Sequence, residues 1–93
     1  MSVTAIIKLT ANPGQRGALQ EAMVAAVIAT GEHPQCLAIE MLAGIENEDE
    51  LLLIETWTSV QDHQDYINSV IAAGGLEGIR AMLASDIETW HYA

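Results

Sequence analysis

The stretch Glu50-Leu51-Leu52-Leu53-Ile54-Glu55-Thr56-Trp57-Thr58-Ser59 decides the fold. It predicts a strand that runs directly into a helix cap. Side chains alternate along a strand, so Leu51, Leu53, Glu55 and Trp57 share one side and Leu52, Ile54 and Thr56 the other. Both sides carry apolar residues, and neither suits exposure to water. The few helices that 93 residues allow can cover only one face of a sheet. The other face then needs a second surface, most simply the same sheet of another copy. The expectation is a homodimer through the sheet face, with a protected interior.

Working towards the C-terminus, Ser59 is placed to cap a helix, with Asp62 three residues on as its capping-box partner. Tyr66, Ile67, Val70 and Ile71 form the apolar stripe of that helix, and His63 falls one turn earlier on the same inward face. Ala72-Ala73-Gly74-Gly75 breaks it. Leu76, Ile79, Met82 and Leu83 predict a short third helix. Asp86–Tyr92 alternates again, Ile87, Thr89 and His91 against Glu88, Trp90 and Tyr92, as a last strand.

Towards the N-terminus, Ala43–Asp49 reads as a hairpin, with Gly44 and Asn47 among acidic residues. Gln35–Leu42 is a strand, with Leu37, Ile39 and Met41 expected on one face and Cys36, Ala38, Glu40 and Leu42 on the other. Glu32-His33-Pro34 connects it to a helix that ends at Gly31, and His33 reads as a surface residue. Leu19, Met23, Ala26, Val27 and Thr30 stripe that helix, widened by Val24 and Ile28. Asn12-Pro13-Gly14-Gln15 opens it, with Asn12 as the expected cap and Pro13 at the first helical position. Val3–Thr10 alternates as the first strand. The order strand, helix, strand, strand, helix with a short extra helix, strand is the α+β, ferredoxin-like split βαβ plan with an antiparallel sheet. One domain spanning residues 1–93 is expected, since domains run from about 50 to 250 residues.

Composition excludes several classes of function. The net charge is −10, and Lys8, Arg16 and Arg80 are the only Lys and Arg residues. Nucleic acid and anionic membranes, both recognised through clustered cations, are not expected partners. No apolar run approaches the roughly 18 residues of a membrane span, and the N-terminus lacks a signal-peptide pattern. Cys36 is the single cysteine, so no internal disulfide can form and a cytoplasmic location is expected. The acidic run Glu46–Glu50 lacks the alternating ligands and central glycine of a calcium loop. Gly74-Gly75-Leu76-Glu77-Gly78 lacks the Lys-Ser/Thr ending of a phosphate loop. No His, Cys, Asp or Glu spacing predicts a metal site. Hydrophobic residues make up 51% of the chain, an excess that fits an additional buried surface between subunits.

Asn12-Pro13-Gly14, His33-Pro34-Gln35-Cys36-Leu37, Leu53-Ile54-Glu55-Thr56-Trp57 before a Ser-capped helix, and a last strand ending in aromatics occur in this order. With that order and spacing, nearly the whole chain resembles the antibiotic biosynthesis monooxygenase family of dimeric α+β barrels. The resemblance implies two ferredoxin-like subunits joined through their sheets, each with a pocket between sheet and helices. It further implies oxidation of a phenolic, quinol or polyketide-like aromatic by molecular oxygen, with no flavin, metal or other cofactor. The haem-degrading branch places an Asn on the first strand and a Trp on the second helix. Here those places offer Ile6 or Ile7 and Tyr66.

Such chemistry needs a base, a donor for the anion it creates, and an apolar pocket. His63, inward-facing with an ordinary pKa near neutrality, is the candidate base, and Tyr66 the candidate donor. Trp57, Met23, Ile67, Met82 and His91 are the candidate substrate-binding residues, Trp57 by stacking on a planar ring and His91 from the last strand. Glu55 shares a face with Trp57 and Leu53; if that face meets the partner's sheet, its charge needs Lys8, Arg16, Arg80 or a main-chain donor. Trp90 and Tyr92 are expected at the subunit interface. Two other functions fit the same pocket: a non-catalytic binding or regulatory module, and an isomerase or dehydratase.

Overall fold

The computed structural model describes residues 1–93. The elements are β1 (Val3–Thr10), α1 (Arg16–Gly31), β2 (Cys36–Ala43), β3 (Glu50–Trp57), α2 (Val60–Ala72), α3 (Glu77–Arg80) and β4 (Glu88–Tyr92). The four strands form one antiparallel sheet in the order β2-β3-β1-β4. This is the expected α+β, ferredoxin-like plan. On the sheet's inner face, Ala5, Ile7 and Leu9 of β1 lie beside Leu51, Leu53 and Trp57 of β3, and Leu19 and Met23 of α1 join them in a buried cluster that also takes in Ala11, Cys36 and Ile79. α1 covers β2 and β3, while α2 lies over β3 and β1.

Several boundaries differ from the sequence expectation. Asn12 does not cap α1; it begins a turn in which Gln15 N–H donates to Asn12 O at 2.9 Å. Gly14 supplies the turn's left-handed residue, with φ 78°. The helix begins only at Arg16, with no side-chain cap. Ser59 caps α2 as expected, its Oγ accepting from Asp62 N–H at 3.0 Å, a bond worth about 1 kcal/mol, but the Asp62 carboxylate accepts from Thr58 Oγ1–H and does not close the expected capping box.

β2 carries the largest change. Cys36 pairs with Trp57 but Ala38 already pairs with Thr56, so Leu37 is bulged out of the ladder. The bulge turns Cys36 onto the buried face with Ile39 and Met41, and leaves Leu37 57% exposed. Strict alternation had assigned those two residues the other way. α3 is likewise shorter than its apolar spacing predicts. Met82 and Leu83 lie in the turn after it, tied to the end of β1 by Asn12 N–H donating to Met82 O and Ala84 N–H to Thr10 O. The hairpin between β2 and β3 closes at Gly44, where any Cβ would collide with the Asn47 carbonyl oxygen. Arg16, the first residue of α1, donates from Nη1 to Gly44 O at 2.7 Å and holds that hairpin.

The outer face of the sheet carries no helix. Its cross-strand rows are Leu42–Leu52–Lys8–Glu88, Glu40–Ile54–Ile6–Trp90 and Ala38–Thr56–Thr4–Tyr92. Ile6, Leu52 and Ile54 are half-buried there, whereas Leu42, Trp90 and Tyr92 are exposed.

Candidate active site

Register assembles the site. Ala5, at the small end of the apolar row on β1, pairs with Glu55 on one side and His91 on the other. Both long side chains therefore stand on the inner face, one strand either side of a residue that leaves room between them. The capped first turn of α2 lowers His63 into that space.

His63 Nδ1 lies 2.8 Å from His91 Nε2, a hydrogen bond between the two rings. On the other edge of the His63 ring, Nε2 faces Glu55 Oε1 at 3.7 Å and has no hydrogen-bond partner. Glu55 is 3% exposed, and its Oε1 accepts from Trp57 Nε1–H at 2.7 Å. Trp57, Glu55, His63 and His91 are thus linked one to the next. They do not gather round a point, and no three His, Cys, Asp or Glu side chains form a metal-binding group.

Burial dominates the electrostatics. Loss of water around His63, reinforced by His91, holds its pKa down to about 4, so the ring is neutral at pH 7. Burial pushes the Glu55 carboxyl up, opposed by the bond from Trp57, which favours the charged form. Burial and the neighbouring Glu55 likewise raise the Cys36 thiol. Asp62 moves the other way, held down by hydrogen bonds from Thr58 and Ser59.

Above this row the inner face bounds a largely apolar cavity of about 890 Å³. Tyr66, Ile67, Val70 and Ile71 of α2 line it, which explains why this apolar stripe is only half-buried or exposed. The stripe roofs a space; it does not pack down on the sheet. Met23 and Ile7 are among its other apolar walls, while Glu55, His63, His91, Thr30 and Arg80 are among its polar ones. The Tyr66 hydroxyl and Thr30 Oγ1 share a hydrogen bond of 3.0 Å.

Of the residues expected at a site, the structure brings His63, Tyr66, Met23, Ile67 and His91 to this cavity. Two do not reach it. Trp57, expected to stack on a substrate, is 0% exposed, enclosed by the rings of His33, His63 and Tyr66 with centroids 5.4, 5.2 and 5.3 Å away. Met82 lies outside because α3 ends before it. Glu55 meets the side chains of Trp57 and His63, neither a Lys or Arg nor the main-chain donor expected as the alternative. His33, read as a surface residue, is half-buried against the edge of Tyr66, with ring centroids 4.9 Å apart. Glu55 and Thr30 are site residues that pattern reading passed over. The signal for Glu55 was a carboxylate at a position whose neighbours on the same face are all apolar.

The sequence model of the family described as antibiotic biosynthesis monooxygenase matches residues 2–77. No curated protein matches the chain. Among solved structures, PA3566 of Pseudomonas aeruginosa is 22% identical, with a TM-score of 0.82 over 99% of this chain and 93% of its own. Rv0793 of Mycobacterium tuberculosis is 18% identical, with a TM-score of 0.83 over 100% and 94%. A variant of SnoaB, a cofactor-independent oxygenase from Streptomyces nogalater, is 13% identical, with a TM-score of 0.81 over 99% and 91%. At such identities these likenesses establish the fold. His91 lies outside the residues that the family model covers.

Proposed function

The chain belongs to the antibiotic biosynthesis monooxygenase family, and on that premise we propose that it oxidises a phenolic, quinol or anthrone-like aromatic with molecular oxygen, without flavin or metal. The observation that carries this reading is the hydrogen-bonded His63–His91 pair at the polar wall of an otherwise apolar cavity. The imidazole pair accepts a proton from the aromatic, and the resulting electron-rich anion reduces oxygen. For an anthrone, the ring CH2 becomes a carbonyl that keeps one oxygen atom, and the other leaves as water. The substrate supplies all four electrons. Tyr66, half-buried beside Thr30, donates to the oxygen that gains charge. Met23 and Ile67 bound the apolar part of the substrate. The cofactor-independent activity named for SnoaB supports the choice of chemistry.

The working unit in this reading is a homodimer joined through the outer sheet face, where Ile6, Leu52 and Ile54 are the central apolar residues. Oxygen uptake measured with a panel of hydroquinones and anthrones, in buffer freed of flavin and metal, tests the reaction. Turnover above the buffer rate, lost when the cavity is blocked by Ile67→Trp, is the expected result. Uptake no faster than in buffer with every compound, or full uptake in the blocked variant, contradicts it.

A further inference from the structure

We propose that His91 is the base that meets the substrate, and that His63 is a positioning residue that fixes which nitrogen of His91 carries the proton. This rests on the oxygenase reading above and assigns roles within it. His63 has no ring nitrogen to offer a substrate. Its Nδ1 is engaged by His91, and its Nε2 is buried against Glu55. His91 is half-buried and lines the cavity. Its Nε2 is taken by His63, while its Nδ1 makes no hydrogen bond within the protein and is not among the sealed, unpartnered atoms. Nδ1 of His91 is therefore the imidazole nitrogen that a cavity ligand can reach.

The neighbouring carboxylate decides the tautomer. A hydrogen bond between two neutral imidazoles has two arrangements. In one, His63 carries its proton on Nε2, facing Glu55, and accepts at Nδ1 from His91 Nε2–H; His91 Nδ1 is then a lone pair. In the other, His63 donates from Nδ1, and His91 carries its proton on Nδ1 with nothing to accept a substrate proton. The second also aims the His63 Nε2 lone pair at a carboxylate 3.7 Å away, which is repulsive in a dry site. Oε1, the Glu55 oxygen that faces His63 Nε2, already accepts from Trp57 Nε1–H, so it presents an acceptor to His63 and favours the first arrangement. A pKa near 4 at His63 agrees, since such a ring is a poor proton acceptor at pH 7.

In the step itself, the substrate's O–H or C–H proton bonds to His91 Nδ1 and its electron pair stays on the aromatic. His91 becomes an imidazolium that still donates from Nε2 to the neutral His63, with the Glu55 carboxyl one ring further on. Oxygen is reduced only afterwards, and the proton on His91 is available for the water that leaves.

Imidazole 15N NMR of the whole protein at pH 7 tests the assignment without any substrate. The expected spectrum has both His63 and His91 protonated at Nε2 and bare at Nδ1; a proton on Nδ1 of either ring overturns the proposal. Activity separates the roles further. His91→Gln should lower kcat by about 100-fold or more, the usual worth of a general base. His63→Gln, whose amide oxygen can still accept from His91 Nε2–H, should cost less than about tenfold, and His63→Leu considerably more. The reverse order, with His63→Gln the more damaging, contradicts the proposal. Wild type that turns nothing over, with the expected NMR spectrum, would count against the oxygenase reading and leave the tautomer assignment standing.

Discussion

Glu55 and His63 form an unusual pair for a small sheet: a carboxylate and an imidazole, both nearly sealed, held 3.7 Å apart. Burial makes each prefer its neutral form, and Trp57 counters that for Glu55 alone. The consequence for stability follows from proton counting. In the unfolded chain His63 takes up a proton near pH 6.5, whereas in the fold it does so only near pH 4. Between those values the unfolded state binds the extra proton, so stability is lost as pH falls from about 6.5 to about 4 and levels off below. For a shift of this size the contribution is at most about 3 kcal/mol. Glu55, with its raised pKa, works in the opposite sense. Urea unfolding at pH 7 and pH 4.5 should therefore show a smaller acid-induced loss in His63→Gln, which keeps Glu55, than in wild type. Equal losses in the two proteins would mean that His63 titrates normally. None of this pairing was legible in the sequence. Alternation places Glu55 with Trp57 and helical spacing turns His63 inward, but neither says that the carboxylate's partner comes from the next helix.

At the level of elements, the first three strands and the two long helices were readable because each repeats one period for eight residues or more, and the five-residue β4 because its alternation is unbroken. The failures have local physical causes. At Leu37 a single bulged residue reverses the faces of everything before it, and alternation cannot register an extra residue. At Met82 the apolar spacing continues past the point where the chain turns back to pair with the end of β1. The site itself depends on register, which pattern does not encode. Ala5 must face both Glu55 and His91 for the two histidines to meet, and those residues come from three strands far apart in sequence. His91 was placed on the correct side of β4 by alternation. Its bond to His63 required β4 to lie beside β1, at the edge opposite β2.

The whole molecule has two different apolar faces. The inner one is filled by Leu19, Met23 and the cavity, while the outer one presents Ile6, Leu52 and Ile54, with Trp90 41% exposed beside Ile6 and Tyr92 57% exposed in the next row. A chain of this length has no third helix long enough to cover that surface, and an uncovered sheet of this composition invites association. Sedimentation at micromolar concentration should give about twice the 10.0 kDa chain mass. Ile54→Asp, at the centre of the outer rows, should shift it to the monomer or unfold it. A stable wild-type monomer would remove the paired-sheet reading. Charge gives little guidance to the substrate: in a chain of net charge −10, Arg80 is the one Lys or Arg side chain lining the cavity.

Whether the histidine wall ionises a bound aromatic before oxygen arrives is the question from which the functional account follows. Mixing the protein with an anthrone in the absence of oxygen, at a pH where the free compound is neutral, and recording the visible spectrum answers it. The anion's absorption band should grow with protein concentration, persist while oxygen is excluded, and collapse to the quinone spectrum when oxygen is admitted. A bound compound whose spectrum stays that of the neutral form, or an anion that survives exposure to oxygen unchanged, would contradict the account.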